Sequence, residues 1–156
     1  MIEVSIPGYH DVSLKHLVLD YNGTLAVNGE LLDDVSDALR RLANCLDVHI
    51  VTADTFGKVR SVVSGVPCGL SILAQQSQAE AKQKYVRNIG SERTAAIGNG
   101  RNDRLMLKEA NLGIAIVGPE GAAVETMLAA DVVCSGILDA FKLLLNPKRL
   151  IATLRS

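Results

Sequence analysis

The sequence predicts an α/β fold in which a mostly parallel sheet has helices on both faces. Apolar, strand-like runs recur along the chain, and segments with helical spacing of apolar residues separate them. Gly90, Gly113 and Gly136 stand where turns are expected. Alternating strands and helices are typical of a parallel sheet.

The first strand is predicted at Leu17 to Tyr21, because a short apolar run there ends in a Gly-containing turn. Asn28-Gly29 between two apolar stretches (Leu25 to Val27 and Glu30 to Leu32) predicts a β-hairpin. In the first helix, Val35, Leu39 and Leu42 recur at helical spacing. The remaining strands are predicted at Val48 to Thr52, Leu70 to Ala74, Thr94 to Ile97, Gly113 to Val117 and Asp131 to Cys134. The helices are predicted at Asp34 to Leu46, Ala53 to Val63, Gln78 to Ile89, Asn102 to Ala110, Ala122 to Ala129 and Leu138 to Leu145.

Both ends of the chain add smaller elements. We expect Met1 to Ile6 to form an edge strand, and Pro147 to start a short tail or a final helix. Residues 1–156 are predicted to be a single domain with its core at roughly 15–146 and the helix or tail at 147–156.

Composition narrows the class of protein. The chain has 156 residues, of which 48% are hydrophobic, and a formal net charge of -1, so a nucleic-acid partner has no support. No apolar run is long enough to span a bilayer, which predicts a soluble, cytoplasmic protein without a membrane partner. Cys45, Cys68 and Cys134 are expected to be buried thiols in a reducing compartment.

Asp20 is the residue that most needs an explanation. It ends the first predicted strand, and open α/β sheets place their ligands at the carboxyl ends of parallel strands. A buried carboxylate is costly unless it binds a cation or takes part in chemistry.

Three other segments supply polar groups that could join Asp20. Thr52 ends the second core strand, Lys82 lies in a predicted helix, and Gly98 to Asp103 form a Gly-rich turn with two amides and a carboxylate. Together these residue types suit phosphoryl transfer, with a carboxylate nucleophile and with a hydroxyl and an ammonium group holding the phosphoryl oxygens. Oxygen ligands at two strand ends suit Mg²⁺.

Taken singly, each of these residues also has a structural interpretation. Thr52 is compatible with a helix cap, Lys82 with a solvated helix lysine beside Lys84, and Asp103 with a first-turn carboxylate. A dinucleotide-binding loop is disfavoured, because Asp103 occupies the position of the third glycine.

The ordered motifs resemble the haloacid dehalogenase-like superfamily. Asp20-x-x-Gly23-Thr24-Leu25 follows an apolar strand, and a strand-end Thr, an isolated Lys and Gly98-x-Gly-x-Asn-Asp103 come after it. Thr52-Ala53-Asp54 and the Gly98 turn look closest to the phosphorylation domain of P-type ATPases, which also occurs in small stand-alone soluble proteins. The resemblance implies a three-layer, Rossmann-like fold and Mg²⁺-dependent phosphoryl transfer.

The resemblance also implies roles for individual residues. Asp20 would be the nucleophile, Thr52 a donor to a phosphoryl oxygen and Lys82 the balancing charge. Mg²⁺ would be held by the Asp20 carboxylate, the Asn22 backbone carbonyl and the cluster around Asn99 and Asp103. Further contacts to phosphate or substrate are expected from Asn22, Gly23, Thr24, Ala53 and Asn102.

Two positions depart from the family pattern. Asn22 stands where phosphatases of the family usually carry a second Asp, and an amide cannot shuttle a proton, a function worth about 10²–10⁴ in rate. Asn99 stands where the family normally has an Asp that binds Mg²⁺, so one negative charge is missing.

The spacing leaves no room for a cap domain. Only a hairpin and one helix fit between Asp20 and Thr52, and the interval to Lys82 is equally compact. The hairpin around Asn28-Gly29 is therefore expected to form a small flap beside the site, or a second subunit of a homo-oligomer to cover it.

These observations favour a slow Mg²⁺-dependent phosphohydrolase acting through an aspartyl phosphate on Asp20. Its substrate would be a small phosphorylated molecule or a phosphoprotein. The alternative is a binding or regulatory protein that keeps the fold and has lost useful catalysis, as Asn22 and Asn99 suggest. A phosphoacceptor receiver domain also uses Asp, Thr and Lys, but its acceptor lies on the third strand, with an acidic pair near the start of the chain. Here Asp20 lies at the end of the first core strand, and the cluster of a carboxylate and two amides comes late in the chain, so this class is disfavoured.

Overall fold

A six-stranded parallel sheet with the order β10-β9-β8-β3-β6-β7 forms the centre of the molecule. The structure, a computed structural model, describes residues 1–54 and 57–156. Within these residues the strands are β1 (Ile2–Val4), β2 (Val12–Leu14), β3 (His16–Leu19), β4 (Ala26–Val27), β5 (Glu30–Leu31), β6 (Asp47–Thr52), β7 (Gly69–Ile72), β8 (Thr94–Gly98), β9 (Leu112–Ile116) and β10 (Val132–Cys134). The helices are α1 (Val35–Ala43), α2 (Val59–Val62), α3 (Gln78–Ile89), α4 (Arg104–Glu109), α5 (Val124–Ala129), α6 (Ile137–Leu145) and α7 (Pro147–Leu154).

Helices cover both faces of the sheet, which confirms the predicted three-layer α/β class. Side chains alternate between the faces along a strand, so Leu17 and Leu19 enter the larger core with α1 and α6, whereas Val18 enters the smaller one with α3 and α4. Continuous burial of Leu17, Val18 and Leu19 explains why β3 reads as an apolar run without polar alternation.

The predicted strands of the sheet are all present with small differences at their ends. The predicted hairpin is also present, as β4 and β5 pair antiparallel across Asn28 and Gly29. Tyr21 holds it against the sheet by donating a hydrogen bond from its hydroxyl to the Gly29 carbonyl. Pro147 starts a helix rather than a tail.

The prediction that Met1 to Ile6 adds an edge strand to the sheet was wrong. β1 instead pairs antiparallel with β2, a strand the sequence analysis missed because only three residues form it. Ile2 and Val4 face the larger core while Glu3 is exposed, the alternation of a strand with one solvated face.

The helix predicted over Ala53 to Val63 is much shorter than expected. Asp54 adopts a positive φ of 47°, which ends the strand in a turn, and its carboxylate accepts N–H bonds from Lys58 and Val59 at the start of α2. The Asp54 carboxylate thus caps the start of α2, and residues 55 and 56 of the predicted helix lie outside the described residues. The three cysteines are free thiols, as expected, but half-buried rather than buried.

The topology places β3 in the middle of the sheet, between β6 and β8. Between Asp20 and Thr52 the chain forms only the β4–β5 hairpin and α1, as expected for a fold without a cap in that interval. In the described ranges, no helix combines the length and apolar character that crossing a membrane requires.

A histidine pair joins the sheet to α3. His16 Nδ1 lies 3.2 Å from His49 Nε2, and His49 Nδ1 lies 3.0 Å from the Tyr85 hydroxyl. Burial lowers the pKa of both imidazoles, and His16 lowers that of His49 further, against an opposing effect of Asp47. The folded protein therefore resists protonation of this pair.

We expect the free energy of unfolding to fall as the pH falls through the ordinary histidine pKa of about 6.5, because the unfolded chain then binds protons that the folded chain rejects. A His49→Gln variant removes one of these groups and should show a smaller decrease over this window. Urea unfolding at a series of pH values measures the difference.

His10 is exposed and provides the matched control. A His10→Gln variant should keep the wild-type pH dependence. Equal slopes for His49→Gln and wild type would contradict the role of the pair.

Candidate active site

Asp20 follows β3 at the carboxyl end of the sheet. Its backbone N–H donates to the Ile97 carbonyl on the neighbouring strand at 3.0 Å, so the parallel ladder holds the residue in place. The residue as a whole is 5% exposed. Because α3 and α4 pack on the face that Val18 shares, groups from those helices can reach this carboxylate.

Lys82 of α3 lies between two carboxylates. Its Nζ is 2.6 Å from Asp20 Oδ1 and 2.6 Å from Asp103 Oδ1, and its side chain is 1% exposed. The interpretation of Lys82 as a solvated helix lysine is therefore wrong, whereas Lys84 is exposed. The ion pairs bring together three segments that are far apart in the sequence.

The charges of this triad affect one another. Burial lowers the pKa of Lys82, but the charges of Asp20 and Asp103 outweigh it and raise the pKa overall. Burial and the charge of Asp20 raise the pKa of Asp103 to about 6, against the opposing effects of Lys82 and the Gly100 N–H. Lys82 is thus held in its charged form.

The Gly98 turn orients Asp103 toward Lys82. Asp103 Oδ2 accepts N–H bonds from Asn99 at 3.0 Å and from Gly100 at 2.9 Å. A Cβ on Gly98 would overlap the Asp103 carboxyl group, which explains the glycine at that position. Since both oxygens of Asp103 already have partners, this geometry argues for orientation of Lys82 rather than direct metal binding.

Thr24 brings two oxygen ligands together. Its Oγ1 lies 3.0 Å from Asp20 Oδ2 and 3.3 Å from Asn99 Oδ1, and it is fully buried. Asn99 Nδ2 donates to the Gly121 carbonyl at 2.9 Å, and this bond turns the amide oxygen toward Thr24 and Asp20.

The turn at Asn22 and Gly23 passes close to Asn99. Gly23 has a φ of 79°, and a Cβ there would lie only 2.6 Å from Asn99 Nδ2, so both the backbone conformation and the space require glycine. Asn22 Oδ1 is buried and, within the described part of the chain, lacks a hydrogen-bond partner. Such an orphaned oxygen indicates a site whose polar groups are completed by something outside the chain.

Thr52 is the last residue of the adjacent strand β6 and Ala53 follows it. β6 pairs with β3 from Asp47 to Ile50. The Thr52 hydroxyl oxygen accepts the Asp54 N–H at 3.1 Å, which orients the side chain and does not use its hydroxyl hydrogen. Thr52 is 2% exposed, so that hydrogen is placed in a sheltered position.

Asn102 forms a hydrogen bond with the first residue of α3, and its contact with phosphate or substrate stays a prediction. Its Nδ2 donates to Gln78 Oε1 at 2.6 Å at the start of α3, so the described hydrogen bonds connect it with Gln78 and not with Asp20. It lines a polar cavity of about 330 Å³ together with Gln75, Gln78, Ala79, Glu80, Arg101 and Arg104.

The donor set fits a hard divalent cation. Within residues 1–54 and 57–156, no group of three or more His, Cys, Asp or Glu side chains is arranged for a metal. However, Asp20 Oδ2 and Asn99 Oδ1 converge on one hydroxyl, and Mg²⁺ accepts carboxylate, amide and carbonyl oxygens while keeping several waters. The absence of thiolate and imidazole at this point disfavours zinc.

Sequence reasoning missed one acidic residue at the site, Glu120. Its Oε2 lies 2.8 Å from the position that a Gly23 Cβ would occupy, beside Asn99. Glu120 belongs to the run Gly118-Pro119-Glu120-Gly121 after β9, and this turn signal at a strand end could have identified it.

A family model described as haloacid dehalogenase-like hydrolase matches residues 53–135. One curated relative is an uncharacterised protein of Methanocaldococcus jannaschii, 47% identical over 83 residues that cover 51% of this chain and 89% of that protein. The family match begins after Asp20, so the segment that carries Asp20 lies outside the matched residues.

Solved structures share the fold. The 3-deoxy-D-manno-octulosonate 8-phosphate phosphatase of Moraxella catarrhalis, in complex with magnesium, phosphate and its sugar, has a TM-score of 0.69 and 19% identity, with 91% of this chain and 94% of that chain covered. The cobalt-bound deoxy-D-mannose-octulosonate 8-phosphate phosphatase of Haemophilus influenzae has a TM-score of 0.70 and 16% identity, with 85% and 88% covered. At these identities the similarity shows the fold alone.

We expect a Lys82→Met variant to lose about 3–5 kcal/mol of unfolding free energy, because it leaves the Asp20 and Asp103 carboxylates buried without a counter-charge. Urea unfolding at neutral pH measures the loss.

The matched control is Lys84→Met, the same substitution two residues away on the exposed side of α3. It should change the unfolding free energy by less than about 0.5 kcal/mol. Similar losses in the two variants would show that the buried ion pairs do not hold the site together.

Proposed function

Because the chain belongs to the haloacid dehalogenase-like hydrolase family, we propose that it is a Mg²⁺-dependent phosphohydrolase that acts through an aspartyl phosphate on Asp20. The single observation that carries the proposal is the buried Asp20–Lys82–Asp103 triad at the carboxyl end of the parallel sheet. Phosphatases among the structural neighbours support the same chemistry.

In the first step, an oxygen of Asp20 forms a bond to phosphorus and the bond between phosphorus and the leaving-group oxygen breaks. The leaving oxygen keeps that electron pair and then takes a proton from water. Lys82, 2.6 Å from Asp20, and the Thr52 hydroxyl stabilise the phosphoryl oxygens as charge develops on them.

In the second step, a water oxygen attacks phosphorus and the bond between phosphorus and the Asp20 oxygen breaks. Phosphate leaves and the carboxylate is restored. Asn22 carries no acid to take up or deliver the proton, so we propose that this step is slow.

Mg²⁺, when bound, offsets the repulsion between the phosphate dianion and the Asp20 carboxylate. Asp20 Oδ2, Asn99 Oδ1 and the Asn22 backbone carbonyl would hold it. Asp103 would act through Lys82, whose position it determines with its second ion pair.

The substrate is proposed to be a phosphomonoester of a small polar molecule. The cavity beside Asn102 is lined by amide, guanidinium and carboxylate groups, and these suit a polar leaving group better than an apolar one. The M. catarrhalis and H. influenzae phosphatases are named for a small phosphorylated sugar acid, the same general class.

We expect an Asp20→Asn variant to lose hydrolysis of p-nitrophenyl phosphate down to the no-enzyme rate, because an amide cannot form the phosphoenzyme. Removal of Mg²⁺ with EDTA should stop the wild-type enzyme in the same assay, and mass spectrometry should find a phosphoryl group on Asp20.

Asp11 is exposed, and Asp11→Asn is the matched control that should keep full activity. Turnover that persists in Asp20→Asn would rule out the phosphoenzyme. Binding of phosphate by the wild-type protein without any turnover would instead favour the binding or regulatory alternative, which Asn22 and Asn99 motivate.

We expect an Asn22→Asp variant to hydrolyse the same substrate at least about tenfold faster, because it restores the group that transfers protons. Single-turnover decay of the phosphoenzyme measures the step directly. Asn44→Asp, a change of the same kind at the end of α1, is the control. An unchanged decay rate would show that proton transfer does not limit the reaction.

A further inference from the structure

Glu120 lies at the carboxyl edge of the sheet in the loop between β9 and α5. The loop makes a tight turn, in which the Gly121 N–H donates to the Gly118 carbonyl at 2.9 Å. β9 neighbours β8, so the turn stands directly beside the Gly98 turn that carries Asn99. Glu120 therefore approaches the site from a segment that the proposed function does not use.

The Glu120 carboxylate and the Asn99 amide face the same small space over Gly23. Glu120 Oε2 and Asn99 Oδ1 each lie 2.8 Å from the point where a Gly23 Cβ would be built. The two oxygens are therefore separated by no more than twice that distance. Only a glycine leaves this space open.

The backbone that follows Glu120 is tied to Asn99. Asn99 Nδ2 donates to the Gly121 carbonyl at 2.9 Å, and the Ala123 N–H donates to the Asn99 carbonyl at 2.9 Å. The loop and the Asn99 turn thus form one unit, which holds the backbone of Glu120 beside Asn99.

Other carboxylates at this edge are already engaged. Asp54 accepts two N–H bonds at the start of α2, and Glu125 pairs with Arg101 and Arg104. By contrast, among residues 1–54 and 57–156 the Glu120 carboxylate forms no hydrogen bond and no ion pair of its own. Its charge is available to a ligand.

The charge balance of the site leaves a place for that ligand. Asp20, Lys82 and Asp103 together carry one net negative charge, and the Asp20 carboxylate shares its charge with Lys82. Asn99 contributes an oxygen but no charge. Protein sites usually hold Mg²⁺ with one or two carboxylates, and here Asp20 alone would fill that role.

We propose that Glu120 supplies the second anionic oxygen to the Mg²⁺ held at Asp20, and so replaces the charge that Asn99 lacks. The inference rests on the proposed function, from which it takes the metal site. The negative charge near the metal would then come from the β9–α5 loop, because the Gly98 turn has the neutral Asn99 instead of a carboxylate.

Calorimetric titration with Mg²⁺ in the absence of any substrate tests the assignment without relying on activity. Glu120→Gln should weaken Mg²⁺ binding about tenfold or more, the loss typical of removing a group that tunes a metal site. Glu92→Gln, an exposed glutamate before the amino end of β8, is the matched control and should bind within twofold of wild type.

A double-mutant cycle with Asn99→Asp sharpens the test. Asn99→Asp returns a charge to the Gly98 turn and should tighten Mg²⁺ binding. In that background the further change Glu120→Gln should weaken Mg²⁺ binding much less than it does in the wild-type protein, because either carboxylate supplies the negative charge that the metal needs. An equal loss of Mg²⁺ affinity on Glu120→Gln in the two backgrounds would overturn the proposal that Glu120 replaces the charge missing at Asn99.

The outcomes separate this inference from the proposed function. Unchanged Mg²⁺ affinity in Glu120→Gln, with wild-type binding that Asp20→Asn abolishes, would overturn the role of Glu120 and leave the proposed metal site standing. Wild-type protein that fails to bind Mg²⁺ would overturn both. Thermal unfolding of Glu120→Gln without metal should match wild type, since the side chain is exposed, and so excludes a folding defect.

Discussion

One buried cation holds the site together. The Lys82 ammonium makes two contacts of 2.6 Å, and these join the end of β3, the amino-terminal part of α3 and the turn after β8. Each carboxylate alone would be expensive to bury, as would the ammonium. Because each charge depends on the others, the three segments reach this edge of the sheet as a single arrangement or not at all.

The parallel sheet makes that arrangement possible. β3 lies between β6 and β8, so the residues that follow these three strands lie at the same edge of the sheet. The alternation of side chains then directs Asp20 to the face where α3 and α4 pack. Lys82 lies in α3, and Asp103 directly precedes α4. The glycines at 23 and 98 keep the backbone close enough for the contacts.

The site has fewer charges at its centre than its motif would normally carry. Asn22 and Asn99 have the size of an Asp and keep one of its two side-chain oxygens, but they carry no negative charge. Asn22 Oδ1 is left buried without a partner in the described residues, and the Asn99 amide is fixed by the β9–α5 loop.

Much of the fold can be predicted from the sequence alone: the α/β class, the succession of core strands along the chain and the hairpin at Asn28-Gly29. The segments that carry Asp20, Thr52, Lys82 and Asp103 can also be predicted in this way. The periodicity of apolar residues and the presence of turn-forming residues are local properties of the sequence, and they identify the residues at the ends of strands. Other features depend on tertiary contacts, which the spacing of residues in the sequence does not specify. Examples are the pairing of β1 with β2 and the contact of Asn102 with Gln78. Another is that Asp103 binds Lys82 with one oxygen and the backbone of the Gly98 turn with the other. The tertiary structure also brings Glu120 to Gly23, because a contact between distant segments depends on how the strands are ordered side by side and not on the residues nearby in the chain.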